Sequence, residues 1–204
     1  MLFSSITFLY YFLPVVLIAY YLAPKSVKNG VLLLASLVFY GWGEPSYVFL
    51  MMASIGLGYV FGLLIEKFRG TAWSKFFMII SVVISFGFLG YFKYSNFFIT
   101  NFNAATGLSL PLLNVVLPIG ISFYTFQILS YVIDLYKREI KVQKNIINFA
   151  LYVTFFPQLV TGPIVRYKTM AKDLEHREIS FDDVCEGVRR FLVGFCKKII
   201  LANN

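Results

Sequence analysis

The chain has 204 residues, 59% of them hydrophobic and only 14% charged, with a mean hydropathy of +0.75. Soluble domains carry about 25% charged residues, so this composition excludes a cytosolic globular enzyme, a disulfide-stapled secreted module and a disordered chain; the solvent is largely lipid. Eighteen Lys and Arg against ten Asp and Glu give a net charge of +8, and these cations sit in short gaps between apolar runs, where they point to anionic lipid headgroups and not to nucleic acid.

Residues 3–22 form the first apolar run, without a charge and long enough to cross about 30 Å of hydrocarbon as a helix. Pro14 is placed to kink it. A cleaved signal is not expected: Met1 to Ser5 carry no cation, and Pro24-Lys25 follows the run where small residues would mark a cleavage site. A shorter run, 30–40, ends at Gly41-Trp42-Gly43-Glu44-Pro45, a turn signal. Spans are expected over 46–65 and 76–92, with a charged gap at 66–75. Residues 93–111 mix aromatics with Asn, Thr and Ser and suit an interfacial helix and loop. Pro118-Ile119-Gly120 opens a further run to Tyr136, and 137–144 is rich in Lys. If 30–40 crosses, Lys25, Lys28, Lys67, Arg69, Lys75, Lys137, Arg138, Lys141 and Lys144 share one side. The positive-inside rule makes that side cytoplasmic and the N-terminus external. If 30–40 is re-entrant, the later gaps change sides. No repeat and no linker divides the chain, so residues 1–204 are expected to form a single membrane domain.

Three stretches carry the polar information. Tyr124, Gln127, Tyr131 and Asp134 are spaced i, i+3, i+7 and i+10, which on a helix brings them within about 80° of one another. An Asp facing lipid near the bilayer centre costs roughly 2.5–3.5 kcal/mol, so this stripe is expected to face protein or a water-filled cavity. Either interhelical hydrogen bonding or a cavity wall satisfies it. Residues 146–164 are interrupted by Pro157-Gln158 and Gly162-Pro163. Broken backbone at membrane depth survives only where protein or water meets its freed groups. The stretch is therefore a discontinuous element beside a cavity, with Arg166 able to hold an anion, or a helix ending at Pro157 with an interfacial tail. Finally, 181–199 is an amphipathic surface helix. Ser180 and Asp183 form its capping box, with acids at the start and Arg189, Arg190, Lys197 and Lys198 towards the end. Cys185 and Cys196 on it lie about 16 Å apart along the axis, too far to bridge. His176 stands in the charged stretch 172–178 and reads as a surface residue. One His and two Cys leave no metal site to expect.

The opening Met1-Leu2-Phe3-Ser4-Ser5, the break Trp42-Gly43-Glu44-Pro45, the run from Pro118 to Gln127, and Phe155-Phe156-Pro157-Gln158-Leu159-Val160-Thr161-Gly162-Pro163-Ile164-Val165-Arg166-Tyr167 resemble the membrane-bound O-acyltransferase family. The likeness is greatest to its alginate O-acetylation branch, and it covers the whole chain in order. It implies an all-α polytopic protein of about five to six membrane helices with a broken or re-entrant segment and amphipathic surface helices, surrounding a funnel. It implies acyl transfer from acetyl-CoA or another acyl donor, bound as substrate and not as a resident cofactor. The acceptor would be an exopolysaccharide or other cell-surface polysaccharide, reached with partner acetylation proteins. The setting would be the bacterial cytoplasmic membrane.

The family's catalytic His lies in an apolar helix well downstream, and His176 does not match it. The resemblance therefore places no catalytic residue before Asn204 and makes the chain the N-terminal part of such an enzyme. Tyr124, Gln127, Tyr131, Asp134, Gln158 and Arg166 become candidates for the funnel or substrate path. Pro118, Pro157, Gly162 and Pro163 become the structural breaks. Other readings are a non-catalytic membrane scaffold, D-alanyl transfer to a cell-wall polymer, and a transporter-like protein, since broken helices and intramembrane polar stripes also occur in transporters.

Overall fold

A computed structural model describes residues 5–113, 115–159, 162–175, 177 and 179–202, with the backbone alone for 202. Among these residues every regular element is a helix. His176, the first four residues of the opening motif, and Val160 and Thr161 of the long motif lie outside them.

The first run is helical from Thr7 to Leu22: a π turn, Thr7–Phe12, and then α1, Leu13–Leu22. Pro14 explains the change of register. It has no N–H for the preceding turn, and the Leu13 N–H reaches back five residues to the Phe8 carbonyl, a π-type bond. The second run is α2, Lys28–Gly43, sixteen residues without a break. The turn expected over 41–45 narrows to Glu44 alone (φ −145°, ψ 77°). Pro45 then takes the first position of α3, Pro45–Lys67, where its missing N–H has no intrahelical partner to lose. After four residues α4, Ala72–Leu89, begins. It continues through a π turn, Gly90–Tyr94, into α5, Ser95–Thr106, which stops at Gly107 in the left-handed region.

Gly120, also left-handed, leads into α6, Ile121–Tyr136. Arg138 (φ 67°) turns the chain out of it, with the Glu139 N–H returning to the Asp134 carbonyl. α7, Ile146–Thr154, is capped by the Asn145 side chain. The four-residue α8, Phe156–Leu159, follows, then α9, Tyr167–Glu175, and α10, Phe181–Lys197, extended by a π turn, Lys198–Ala202.

α3 and the run Ala72–Thr106 are long and apolar enough to cross a membrane. α3, α4 and α6 pack on one another, and α2 packs on α7. The main core gathers Met51, Ile55, Tyr124, Ile128, Tyr131 and Phe149 with their neighbours. A second cluster joins Phe8, Phe39 and Phe156. The outer faces of these helices are apolar as well: Tyr10 is 74% exposed, Phe49 80%, Val83 62% and Phe98 64%. A water-soluble monomer does not carry apolar surface on this scale.

Candidate functional site

The polar stripe of α6 is wholly inside the bundle. Tyr124, Gln127, Tyr131 and Asp134 are 1%, 2%, 0% and 6% exposed. Two glycines of α3 admit it. A Cβ on Gly58 would lie 2.5 Å from Ile128 Cγ2, and one on Gly62 would lie 2.9 Å from the Tyr131 ring. Neither space accepts a methyl group as it stands.

Around the lower half of the stripe the polar groups of four elements meet. The Gln143 backbone N–H donates to Tyr131 Oη at 3.0 Å, and its Nε2 donates to Tyr167 Oη at 2.9 Å. The Tyr131 ring lies 4.7 Å from Phe149 and 5.1 Å from Tyr167, centre to centre. Tyr152 Oη donates to the Val165 carbonyl at 2.9 Å, with the Gln127 carbonyl 3.4 Å away. Gln158 Nε2 donates to the Tyr152 carbonyl at 2.9 Å and approaches Met170 Sδ at 3.3 Å. Tyr131, Gln143 and Tyr167 thus form one hydrogen-bonded group, Tyr152, Gln158 and the Gln127 backbone carbonyl another, and the Tyr152 and Tyr167 rings, 5.2 Å apart, join the two into one network. Their periodicity marked the α6 members, but nothing in the spacing of Gln143 or Tyr167, one in a loop and one on a surface helix, signals the association. Burial pushes the Tyr167 phenol above its ordinary range.

Three tips of the stripe end without a partner among the described residues: Tyr124 Oη, Gln127 Oε1 and Asp134 Oδ2. Buried polar atoms are nearly always paired, and an unpaired one costs about 1–3 kcal/mol. All three lie on one helix face, and Tyr40 Oη is likewise unpartnered.

The interrupted element is a hairpin. α7 starts beside the head of α2, where Asn29 Nδ2 donates to Asn148 Oδ1 and to the Leu174 carbonyl, both at 2.8 Å. It breaks at Phe155 (φ −52°, ψ 109°), two residues before Pro157. Pro157 lies inside the first turn of α8, a position that asks for no amide donor. The Phe156 N–H freed by the break donates to Ser36 Oγ on α2 at 3.2 Å. Leu159 then meets the start of α6: a Cβ on Gly120 would lie 3.0 Å from the Leu159 carbonyl oxygen. Gly162 and Pro163 form a bend, with Gly162 at φ 113°. The chain returns without regular structure to Tyr167, beside Gln143. Pro118 and Gly120 are held from the opposite corner, where the Ile119 N–H donates to Glu44 Oε2 at 2.9 Å and Tyr47 Oη donates to the Val116 carbonyl at 2.9 Å. The three sequence motifs around Glu44, Gly120 and Leu159 therefore meet in space. Arg166 is exposed and forms no ion pair among the described residues.

At the far end, Ser180 Oγ accepts from the Asp183 N–H at 3.1 Å and the Asp183 carboxylate accepts from the Ser180 N–H at 2.9 Å, closing the capping box of α10. The Ser180 hydroxyl, which donates to the same carboxylate at 2.7 Å, and then the Ser180 N–H hold the Asp183 carboxyl below the usual carboxylate range. No residue of α10 is buried. Among the described residues, no three His, Cys, Asp or Glu side chains form a group able to hold a metal ion.

The whole chain is 39% identical to the probable alginate O-acetylase AlgI of Pseudomonas aeruginosa over 209 residues and spans 40% of that protein. It is 30% identical to the peptidoglycan O-acetyltransferase of Helicobacter pylori over 236 residues, covering 45% of it. A shorter stretch, 43% of the chain, is 28% identical to the teichoic acid D-alanyltransferase of Bacillus subtilis, covering 23% of it. The chain thus spans about two-fifths of the length of the alginate relatives it matches. No family model and no solved structure matches the chain.

Proposed function

We infer that this chain, which belongs to the membrane-bound O-acyltransferase family, is the N-terminal part of a multi-pass cell-membrane enzyme that moves an acetyl group from acetyl-CoA or another acyl donor to a polysaccharide. One observation carries the reading: the similarity to two kinds of polysaccharide O-acetyltransferase runs through every part of the chain. The match to D-alanyltransferases is shorter and weaker, so acetyl transfer ranks above D-alanyl transfer.

This reading implies a division of labour. Acyl transfer needs a base beside the acceptor hydroxyl and donors aimed at the developing oxyanion. The base belongs to sequence beyond this chain, as the resemblance implies. What this chain supplies is a wall. The unpartnered tips of Tyr124, Gln127 and Asp134 orient the donor or the acceptor path. Gln158 and the hairpin hold that wall in place, and Arg166 holds an anionic group at its rim. α1, α2, α3, α4, α6 and the α7–α8 hairpin make five crossings and one re-entrant element. With α2 crossing, the cationic gaps at Lys25, Lys67 and Lys137 share the cytoplasmic side, and α10 lies on the headgroups there. Partner acetylation proteins present the polymer on the other side.

Deleting the gene tests the substrate class. The account predicts a strain whose surface polysaccharide loses its O-acetyl esters, read by proton NMR of the purified polymer, while D-alanyl esters stay at the parental level. Loss of D-alanyl esters with acetyl intact would move the assignment to the other branch.

A further inference from the structure

Two adjoining cavities open beside α1 at the end of the bundle that carries Lys25 and Lys28. The first, about 460 Å³, is walled by Val16 and Leu17 of α1, Leu32 of α2, Phe155 and Phe156 at the helix break, and Met170 of α9. The second, about 1150 Å³, carries Lys25, Lys28 and Arg177. Both are lined by Tyr20, Tyr21, Asp173, Arg177 and Ile179, so they form one cleft, apolar within and charged at its mouth. A cavity of about 150 Å³ already holds a benzene ring; the apolar part here has room for an aliphatic chain.

The mouth is organised around Tyr20. Lys28 Nζ stands 4.7 Å from the centre of its ring and the Arg177 guanidinium 6.0 Å. Arg177 is held in place: its Nε donates to the Asp173 carbonyl at 2.6 Å and its Nη1 approaches Tyr20 Oη at 3.4 Å. Among the described residues, Lys25, Lys28 and Arg177 form no ion pair. The carboxylates of Asp173 and Glu175 also line the mouth, and that of Asp183 is turned to Ser180. Leu17, Tyr21 and Leu22 next to the slot are exposed, which leaves a lateral way in from the hydrocarbon.

We propose that this cleft binds an anionic phospholipid, with one acyl chain in the slot between α1, α2 and α9 and the phosphate held by Lys25, Lys28 and Arg177. A free phosphate would leave the apolar slot open to water, and a neutral lipid would offer no anion to Lys25, Lys28 and Arg177, which form no ion pair among the described residues although Asp173 and Glu175 share the mouth; an anionic amphiphile satisfies both halves. The proposal rests on this end of the bundle lying at a membrane surface, and not on acyl transfer.

The test uses the native full-length protein in phosphatidylcholine vesicles doped with either a phosphatidylglycerol or a phosphatidylcholine probe carrying a diazirine in mid-chain. Irradiation and peptide mapping follow. The phosphatidylglycerol probe marks residues 13–22 and 155–170 several-fold more than the phosphatidylcholine probe. The excess disappears in the K25Q/K28Q/R177Q variant and survives an excess of glycerol phosphate. Equal marking by the two probes overturns the proposal, and so does competition by glycerol phosphate. Marking of α3 and α4 with the cleft unmarked means that further protein covers it, which refutes the lipid site and leaves the membrane reading standing. Marking nowhere refutes both.

Discussion

Gly58 and Gly62 set how closely α3 and α6 approach. Where a new Cβ would meet Ile128 at 2.5 Å or the Tyr131 ring at 2.9 Å, the neighbours must move, and overpacking of this kind costs about 1–3 kcal/mol. Gly56 on the same helix has open space, so Ala there gains the helical preference of up to about 1 kcal/mol. Thermal unfolding in detergent should show Gly58→Ala and Gly62→Ala melting below the parent and Gly56→Ala at or above it. Equal shifts at all three would mean that α6 does not sit against α3 in this way. Asp183 gives the prediction in pH. Its carboxyl is depressed in the folded chain, so its contribution is complete above the unfolded value of about 4 and fades as pH falls through the lower folded value. The protection of the amides at the start of α10, taken relative to their intrinsic exchange rates at each pH, should therefore fall on acidification, and Ser180→Ala should remove most of that dependence. An unchanged profile in the variant would show that the box does not form.

The α7–α8 hairpin depends on a few polar ties because its backbone is broken where no helix can satisfy it. Tyr152 holds the returning limb through the Val165 carbonyl. Tyr152→Phe should cost about 1–2 kcal/mol and raise amide exchange at 164–166 while α3 stays protected; uniform loss of protection would make Tyr152 a general core residue instead. At this scale the sequence told some things and hid others. Gly-Pro at 162–163 and Pro157 announced an interruption, but the break itself is at Phe155, because a proline in the first turn of a short helix interrupts nothing. The i, i+3, i+7, i+10 spacing put four polar residues on one face, and all four are buried. Gln143 and Tyr167, which complete their network, come from a loop and a surface helix, where spacing carries no information. For α2 the apolar run 30–40 was too short to settle its extent; the helix takes in Lys28 and Asn29 because Asn29 is tied to Asn148 and Leu174.

Across the whole molecule, apolar residues line the outside as well as the core, and in the proposed topology the cationic gaps share one side. Both follow from composition: a chain with so few charges satisfies its backbone in helices and leaves its outer faces to lipid. The three motifs at Glu44, Gly120 and Leu159 converge although 115 residues separate the first from the last, which no local pattern could reveal. In the proposed reading that convergence is part of a wall, and the reacting base lies in sequence outside this chain. The most direct test is transfer of labelled acetyl from acetyl-CoA to endogenous polysaccharide in membranes. Membranes holding the native gene product should incorporate label, and membranes holding residues 1–204 alone should not. Incorporation by residues 1–204 alone would place the catalytic group within this chain and contradict the account.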